Sequence, residues 1–345
     1  MDQSGPKSTV PNGSREVKME KVDILLATYN TNHKYLKQQI DSILKQTYTN
    51  IHLIISDDNS TDTEVKQILE QYSKKDNRIE LYLQTQNLGY IKNFEFLLNK
   101  SNADYICFSD HDDIWYPEKV EKSLKKLQEQ NVDLVYCNCK QIDENGKILH
   151  ENYFKYKNMP LVKGKNQVLG ISRYLGIGCS QMFTKDVKEK MLPFTDKVMA
   201  HDWLASFIAN ENKGVDYIEE PMFEYRLHTG NVFGGRSLEQ NLNRWKKENG
   251  KSYKSYIRYR EKNVIDNAYY DGIMMCKEYC QNKENQKLLE KLISYYKSMK
   301  EAHLINIHFV SFFKYLGGKN LTKKMLKELV LFHFPVIGFI IFYLG

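Results

Sequence analysis

Short apolar runs alternate with amphipathic helical segments through the first part of the chain, and this alternation is the strongest constraint on the fold. The runs are rich in aliphatic and β-branched residues, which is typical of buried strands. They lie at residues 22–28, 51–55, 79–83, 105–108 and 133–138. Between them, apolar residues recur at helical spacing, for example Leu36, Ile40 and Ile43. Strands and helices that alternate with short connections predict an α/β protein with a mostly parallel central sheet.

Polar side chains follow three of these predicted strands directly. They are Thr28, Tyr29, Asn30, Asp57, Asp58, Asp110, Asp112 and Asp113. Ligands of open α/β sheets bind at the carboxyl ends of the strands, so we expect these residues to meet at one site. Converging carboxylates repel one another unless a cation shares the site. Oxygen ligands favour Mg²⁺ or Mn²⁺, and a diphosphate bridged by the metal is the simplest substrate group. The alternative is that these aspartates form turns and cap helices.

Several common enzyme classes are excluded because their motifs are missing. No glycine-rich fingerprint follows the first strand, no Gly-x-x-x-x-Gly-Lys loop exists, and no Gly-x-Ser-x-Gly elbow appears. The six cysteines lack the spacing of a metal finger, which indicates reduced thiols in a cytosolic protein. The formal net charge of +7 suits a partner that carries phosphate. No nucleic-acid recognition motif is present, so we expect no nucleic-acid partner.

Five segments, taken in order, resemble the motifs of the family 2 glycosyltransferases, which have the GT-A fold. They are residues 22–30 (VDILLATYN), 54–62 (IISDDNSTD) with 87–89 (NLG), 109–115 (SDHDDIW), 201–203 (HDW) and 225–232 (YRLHTGNV). The third is most similar to rhamnosyltransferase-type enzymes that build bacterial surface polysaccharides. The chain departs from that pattern at His111, where Gln is more usual, and at Lys92-Asn93, where Arg-Asn is more usual. Both departures leave the donor sugar open.

The resemblance implies a metal-dependent, inverting transferase that uses a UDP- or dTDP-sugar, with rhamnose as the favoured sugar. Thr28, Tyr29 and Asn30 would line the pocket for base and ribose, and Asp57 or Asp58 would accept the N3–H of a pyrimidine. The other donor-binding residues that it implies are Asn87, Lys92, Asn93, Asp110, Asp113 and Arg226. The alternative for Tyr29 is ordinary packing at the strand edge.

The resemblance also assigns the metal, the base and the acceptor site. Mn²⁺ or Mg²⁺ would be held by Asp110, Asp112 and His228, with Arg226 as the rival of His228 for the phosphates. Asp202 would be the base that takes the proton from the acceptor hydroxyl, and its alternative is a helix N-cap. The implied acceptor-binding residues are Trp115, Gly178, Cys179, Ser180, His201 and Trp203. Aromatic packing is the alternative for Trp115, and we expect Cys179 to be a small neighbour instead of a nucleophile.

The two ends of the chain differ from its centre. Residues 1–20 are predicted to be a disordered tail, native or introduced, and the catalytic GT-A domain is predicted at 21–235. A helical region at 236–345 ends in an apolar stretch, 329–344, preceded by lysines. This pattern indicates a peripheral anchor on the inner face of the cell membrane, and the alternative is a core helix or a contact in a homo-oligomer. We expect a cytoplasmic enzyme with a glycan or lipid-linked acceptor, and a catalytically silent GT-A binding module is the competing hypothesis.

Overall fold

The computed structural model describes residues 19–157, 159, 161–165, 175–228, 245–250, 252, 255 and 268–301. Residues 1–18 of the predicted tail and residues 229–232 of the last motif lie outside the described residues. So do the predicted domain boundary near residue 235 and the basic and apolar C-terminal segment. What the sequence predicts for those parts stays a prediction. Among the helices of the described residues, none is long and apolar enough to cross a membrane.

Strands in the described residues form a single mixed sheet. They are β1 Val22–Thr28, β2 Ile51–Asp57, β3 Ile79–Leu83, β4 Tyr105–Ser109, β5 Ile114–Trp115, β6 Leu134–Ile142, β7 Ile148–His150, β8 Gln181–Thr184 and β9 Val215–Arg226. Their order in the sheet is β3-β2-β1-β4-β8-β6-β9-β5, with β7 paired to β6. The parallel arrangement predicted from the sequence holds for β3-β2-β1-β4, whereas β8 joins β4 and β6 in antiparallel pairs. Strand β9 pairs in parallel with β6 and antiparallel with β5.

Helices cover both faces of this sheet. They are α1 His33–Leu44, α2 Thr63–Lys75, α3 Tyr90–Lys100, α4 Lys119–Gln130, α5 Tyr153–Lys157, α6 Lys185–Met191, α7 His201–Glu211, α8 Ala268–Tyr279 and α9 Lys283–Glu301. Side chains alternate between the two faces of β1: Ile24 packs with α1 and α2, and Leu25 packs with α3 and α7. This double burial explains why β1 is apolar along nearly its whole length instead of alternating with polar residues.

Side-chain caps fix where the first two helices begin. The Asn32 side chain accepts hydrogen bonds from the backbone N–H groups of Lys34 and Tyr35, at 2.9 and 3.3 Å, at the start of α1. The Asp62 side chain accepts the N–H of Glu64 at 2.9 Å at the start of α2. Both caps lie a few residues after the end of a strand, so the loops that follow β1 and β2 are short.

Candidate active site

The end of strand β1 is tied to the loop after β2. Thr28 Oγ1 donates to Asp57 Oδ1 at 2.9 Å, and Asp57 also accepts the N–H and hydroxyl of Ser60 at 2.8 and 2.6 Å. Asn30 has a φ of 44°, in the left-handed region, and its Oδ1 accepts the N–H of Thr61 at 2.8 Å. These bonds hold Tyr29 outward with 46% of its surface exposed. The geometry thus leaves the Tyr29 ring accessible to a ligand, whereas Asp57 is fully buried.

Asp58 holds the turn that precedes helix α3. Its two carboxylate oxygens accept the backbone N–H groups of Leu88 at 2.6 Å and Gly89 at 2.9 Å. Asn87 Nδ2 donates to the carbonyl oxygen of Asp58 at 3.1 Å, which closes the contact from the other side. Gly89 has a φ of 79°, where a side chain would be strained. The predicted Asn-Leu-Gly turn is therefore bound directly to the predicted nucleotide-binding carboxylate.

Lys92 and Asn93 each have a partner inside the protein. The buried Asn93 side chain accepts from Ser56 Oγ at 2.6 Å and donates to the Ser56 carbonyl oxygen at 3.1 Å. Lys92 Nζ forms an ion pair with Glu95 at 2.8 Å. The Asn93 contacts join α3 to β2, and donor binding by either residue stays a prediction.

The acidic cluster consists of Asp110, Asp112 and Asp113, in the loop after β4. Asp112 Oδ2 lies 2.7 Å from His228 Nε2, although the two residues are 116 positions apart in the chain. Ligand atoms that neighbour each other around a Mg²⁺ ion are separated by about 3 Å, given metal–ligand distances near 2.1 Å. Asp112 and His228 are thus close enough to share one small divalent cation.

Asp110 and Asp113 meet at the buried thiol of Cys179. One ligand atom from each of the three residues lies within 4.8 Å of the other two. Asp113 is fully buried, and its Oδ1 accepts the backbone N–H of Arg226 at 3.2 Å, while its Oδ2 has no hydrogen-bond partner. A buried carboxylate oxygen without a partner is costly. The carboxylate oxygens of Asp110 and Asp113 are of the kind that Mg²⁺ and Mn²⁺ prefer, whereas the neutral thiol of Cys179 is not.

The pKa values of the acidic cluster show that its carboxylates repel one another. Burial, followed by the negative charge of Asp112, raises the pKa of Asp110 to about 6. Burial and the charges of Asp112 and Asp110 raise the pKa of Asp113 well above its usual value. Burial alone would also raise the pKa of Asp112, but the hydrogen bond with His228 and the positive charge of His111 outweigh it and lower that pKa. The lowered pKa of Asp112 favours its ionised form, whereas the raised pKa values of Asp110 and Asp113 favour their protonated forms. This pattern is expected where several carboxylates meet at a site that holds a cation.

Arg226 supports the acidic cluster from behind. Its guanidinium Nε donates to the backbone carbonyl oxygen of Asp112 at 2.9 Å, and Nη2 donates to Gln38 Oε1 at 3.0 Å. The guanidinium lies 4.3 Å from the centre of the Tyr35 ring, and the residue is only 2% exposed. These contacts place Arg226 as a brace for the loop that carries Asp112. The phosphate contact predicted for it stays untested.

Asp202 lies in the first turn of α7, next to a glycine. A Cβ atom added to Gly178 would lie 3.1 Å from Asp202 Oδ2, so the carboxylate stands directly against the glycine backbone. Asp202 Oδ1 accepts the N–H of Trp203 at 2.9 Å, and the N-cap of the helix is Ala200, so the N-cap alternative for Asp202 is not what the structure shows. The charge of Asp202 contributes to the raised pKa of Asp110, after burial and the charge of Asp112.

The Gly178–Ser180 turn connects Asp202 to the acidic cluster. Gly178 contacts Asp202, and Cys179, the next residue, contacts Asp110 and Asp113. Ser180 is buried, with Oγ donating to the Ile177 carbonyl oxygen at 2.6 Å, so it closes the turn. Burial raises the pKa of the Cys179 thiol well above its usual value, which agrees with the expectation that it is not a nucleophile.

Two tryptophans predicted to bind the acceptor, Trp115 and Trp203, pack inside the protein. Trp115 is 2% exposed, with Lys119 Nζ lying 3.2 Å from the ring centre, which matches the packing alternative. Trp203 is 3% exposed and lies against Gly272 of α8. Trp203 is thus covered by a helix distant in sequence, whereas Trp115 is covered by α4, which follows it closely in the chain.

His201 is also buried, between two phenylalanines. Its ring stacks on Phe94 at 3.9 Å and meets Phe108 edge-on at 4.6 Å. Burial lowers the pKa of His201, so the ring is neutral at physiological pH, and Nδ1 has no hydrogen-bond partner. The structure therefore places His201 as a packing residue at the start of α7 rather than at the surface that an acceptor would contact.

Tyr90 is a site residue that sequence reasoning missed. It is 39% exposed and begins α3, directly after the turn that binds Asp58. Its hydroxyl donates to the Met199 carbonyl oxygen at 2.6 Å, and burial, followed by the charge of Asp202, raises its pKa. Tyr90 thus links the predicted nucleotide side to the segment before α7. No sequence signal marked it, since an aromatic residue at a helix start is ordinary.

Comparisons with known proteins agree with this arrangement. The family model for glycosyl transferase family 2 matches residues 23–192. The uncharacterized glycosyltransferase MJ1057 of Methanocaldococcus jannaschii is 32% identical over 225 residues, which cover 64% of this chain and 76% of that protein. The dTDP-rhamnosyl transferase RfbG of Shigella flexneri is 29% identical over 223 residues, covering 61% and 73%. The chain belongs to glycosyl transferase family 2.

Solved structures confirm the fold. TarS 1-349 of S. aureus in complex with UDP-GlcNAc aligns with a TM-score of 0.56 at 17% identity, covering 94% of this chain and 89% of that one. The mannosyltransferase PcManGT from Pyrobaculum calidifontis, in complex with GDP-Man and Mn²⁺, aligns with a TM-score of 0.50 at 13% identity, covering 81% of each. At these identities the likeness concerns the fold alone, and the predicted GT-A fold is confirmed.

Proposed function

We propose that this protein is a metal-dependent, inverting glycosyltransferase of bacterial surface-polysaccharide synthesis. It moves a sugar, with rhamnose favoured, from a UDP- or dTDP-linked donor to a hydroxyl of a glycan or lipid-linked oligosaccharide. One observation carries the proposal: Asp202, the Gly178–Ser180 turn, the acidic cluster and His228 form one continuous set of contacts. The proposed base and the proposed cation site are neighbours in this set of contacts, which supports the proposal.

Asp202 is the base of this mechanism. Its carboxylate takes the proton of the acceptor hydroxyl as that oxygen forms a bond to C1 of the donor sugar. The bond between C1 and the phosphate oxygen breaks, and the nucleoside diphosphate leaves with the electron pair. Attack opposite to the leaving group inverts the configuration at C1, and one carboxylate is sufficient.

A divalent cation at this site would be held by Asp112 and His228, with Asp110 as a further ligand. When bound, Mn²⁺ or Mg²⁺ neutralises charge on the leaving diphosphate. Arg226 keeps the Asp112 backbone in place, and Asp113 lies fully buried next to Asp110. The Mn²⁺ in the mannosyltransferase neighbour is consistent with this assignment.

The nucleotide side is formed by Tyr29, Asn30 and Asp58. Tyr29 offers an exposed ring, and Asn30 is fixed by the Thr61 N–H. Asp58 already accepts two backbone N–H groups, and a carboxylate has about four acceptor positions, so it can accept a pyrimidine N3–H as well. The donors named in RfbG and in the TarS complex carry dTDP and UDP, both of which have that N–H group.

A thermal-shift panel tests the proposal. UDP, dTDP, GDP and CDP are each added with Mn²⁺ or with EDTA, and a ligand that binds the folded state raises the melting temperature. We expect a Mn²⁺-dependent increase with UDP or dTDP that Asp112→Asn abolishes. The matched control is Asp186→Asn, an exposed aspartate on α6. Binding without sugar transfer in a donor screen would indicate the silent module, and no shift with any nucleotide would contradict the proposal.

A further inference from the structure

Tyr35, in the first turn of helix α1, is a half-buried aromatic residue beside the proposed cation site. Its ring centre is 5.7 Å from that of His228, with an angle of 34° between the two planes. The Arg226 guanidinium lies over the same ring, 4.3 Å from its centre. Both distances are within the range of aromatic and cation–π contacts. One side chain of α1 thus contacts a proposed metal ligand and the residue that braces the Asp112 loop.

The Tyr35 side chain is itself held in place at both ends. Its backbone N–H donates to the Asn32 side chain at 3.3 Å, which anchors the residue at the start of α1. Its hydroxyl donates to the Glu144 carbonyl oxygen at 2.8 Å, in the turn between β6 and β7. That turn is closed by its own bonds, since Asp143 Oδ1 accepts the N–H of Lys147 at 2.9 Å. The ring therefore offers a fixed surface to its neighbours.

His228 lies two residues beyond the end of strand β9, which closes at Arg226. Its imidazole is in contact with side chains from two other parts of the chain. Nε2 is 2.7 Å from Asp112 Oδ2, and the Tyr35 ring lies beside it. The residues around a metal ligand fix the orientation of its ring, and their loss weakens metal binding. Tyr35 is placed to do this for His228.

Arg226 connects the same tyrosine ring to the acidic cluster. Its guanidinium donates to the Asp112 carbonyl oxygen at 2.9 Å, to Gln38 Oε1 at 3.0 Å and to the Asp143 carbonyl oxygen at 3.3 Å. The donors of a guanidinium lie in its plane, so Tyr35 covers a face that these bonds leave open. Gln38 is three residues from Tyr35 on α1, and the two side chains share one face of that helix.

We propose that Tyr35 is a positioning residue of the cation site, whose ring fixes the His228 imidazole and the Arg226 guanidinium on either side of Asp112. The inference rests on the proposed function, because it concerns the cation that Asp112 and His228 would hold. Tyr35 acts through its two neighbours instead of by contact with the cation. The ring carries this role, and the hydroxyl only keeps the ring in its place.

Calorimetric titration of Mn²⁺ into the full chain, with UDP present, tests this role. We expect Tyr35→Leu to raise the dissociation constant of Mn²⁺ by roughly tenfold, as for loss of other residues that orient metal ligands. Tyr35→Phe keeps the ring and should raise it by less than about threefold, since only one hydrogen bond is lost. The matched control is Tyr72→Leu on α2, a half-buried tyrosine whose hydroxyl donates to Asp41 of α1 at 2.8 Å. This control should change the constant by no more than about twofold.

A double-mutant cycle with His228→Gln separates positioning from general damage. Once the imidazole is absent, Tyr35→Leu should weaken Mn²⁺ binding by less than about threefold, because much of its effect passes through His228. Leucine keeps apolar volume in the first helical turn, so we expect the variant to fold, and melting temperatures in EDTA check this for every protein.

Three results would overturn the inference about Tyr35. They are a wild-type dissociation constant in Tyr35→Leu, a Tyr35→Phe protein as impaired as Tyr35→Leu, and equal losses with and without the His228 imidazole. Failure of the proposed function is distinct from these, because a wild-type protein that binds no Mn²⁺ in the presence of UDP would contradict the cation site itself.

Discussion

Gly178→Ala should slow sugar transfer by moving Asp202, the proposed base. The added Cβ would lie 3.1 Å from Asp202 Oδ2, whereas ordinary contacts begin at 3.4 Å, so the carboxylate must move by about 0.3 Å. A displacement of 1 Å costs roughly 10²-fold in rate. Scaling its logarithm to this shift gives a decrease in kcat of about fourfold. The Gly178 backbone does not have a positive φ, so we expect little change in stability.

A double-mutant cycle separates this effect from general damage. Transfer is measured as release of nucleoside diphosphate for the wild type, each single variant and the Gly178→Ala/Asp202→Asn pair. Once Asp202→Asn has removed the base, Gly178→Ala should change the residual rate by less than about twofold, since the two effects share one group. Equal losses in both backgrounds would refute the reasoning, as would loss of the thermal shift with UDP and Mn²⁺ in Gly178→Ala.

Three further predictions concern residues around the site and the sheet. Arg226→Lys should weaken Mn²⁺-dependent UDP binding by roughly tenfold in a calorimetric titration, because a lysine cannot brace both Asp112 and its other partners; unchanged affinity would contradict that role. Asp23→Asn should lower the free energy of unfolding at pH 7 by about 2 kcal/mol in urea titrations. Burial raises the pKa of Asp23, but hydrogen bonding with His52 and other partners outweighs burial and lowers that pKa from 3.8 to about 2. The ionised side chain therefore stabilises the folded protein above pH 3.8, and this stability is lost as the pH falls through 2. His201→Phe should reduce the loss of stability on acidification below the unfolded pKa of 6.5, because only the unfolded wild type readily binds that proton; identical pH profiles would contradict the burial of a neutral ring.

The strands that were predicted correctly are those that depend on local sequence patterns. The apolar runs of β1 to β4 and of β6 depend on residues close in sequence, so the periodic pattern was sufficient to predict them. Strands β8 and β9 pair with residues far along the chain, and β9 contains Pro221 and irregular register. Nothing local in the sequence specifies such pairs, so β8, β9 and their pairing with β6 were not predicted.

The candidate site, like the fold, was predicted only in part. The acidic cluster and Asp202 were found from motifs, and the structure brings them into one set of contacts. The aromatic motif residues were predicted to face a sugar, but Trp203 is covered by α8 and His201 by Phe94. Burial of an aromatic side chain depends on what packs over it, and the sequence motif does not contain that information.

Turnover by the wild type and Asp202→Asn tests the central claim most directly. Both proteins are given UDP- and dTDP-sugars with Mn²⁺ and a lipid-linked glycan fraction, and release of nucleoside diphosphate is followed. We predict transfer by the wild type from at least one donor, abolished by EDTA, and a decrease of about 10²- to 10⁴-fold in kcat for Asp202→Asn with nucleotide binding unchanged. Transfer by Asp202→Asn within about tenfold of the wild-type rate would contradict the assignment of the base, and wild-type transfer that persists in EDTA would contradict the metal site.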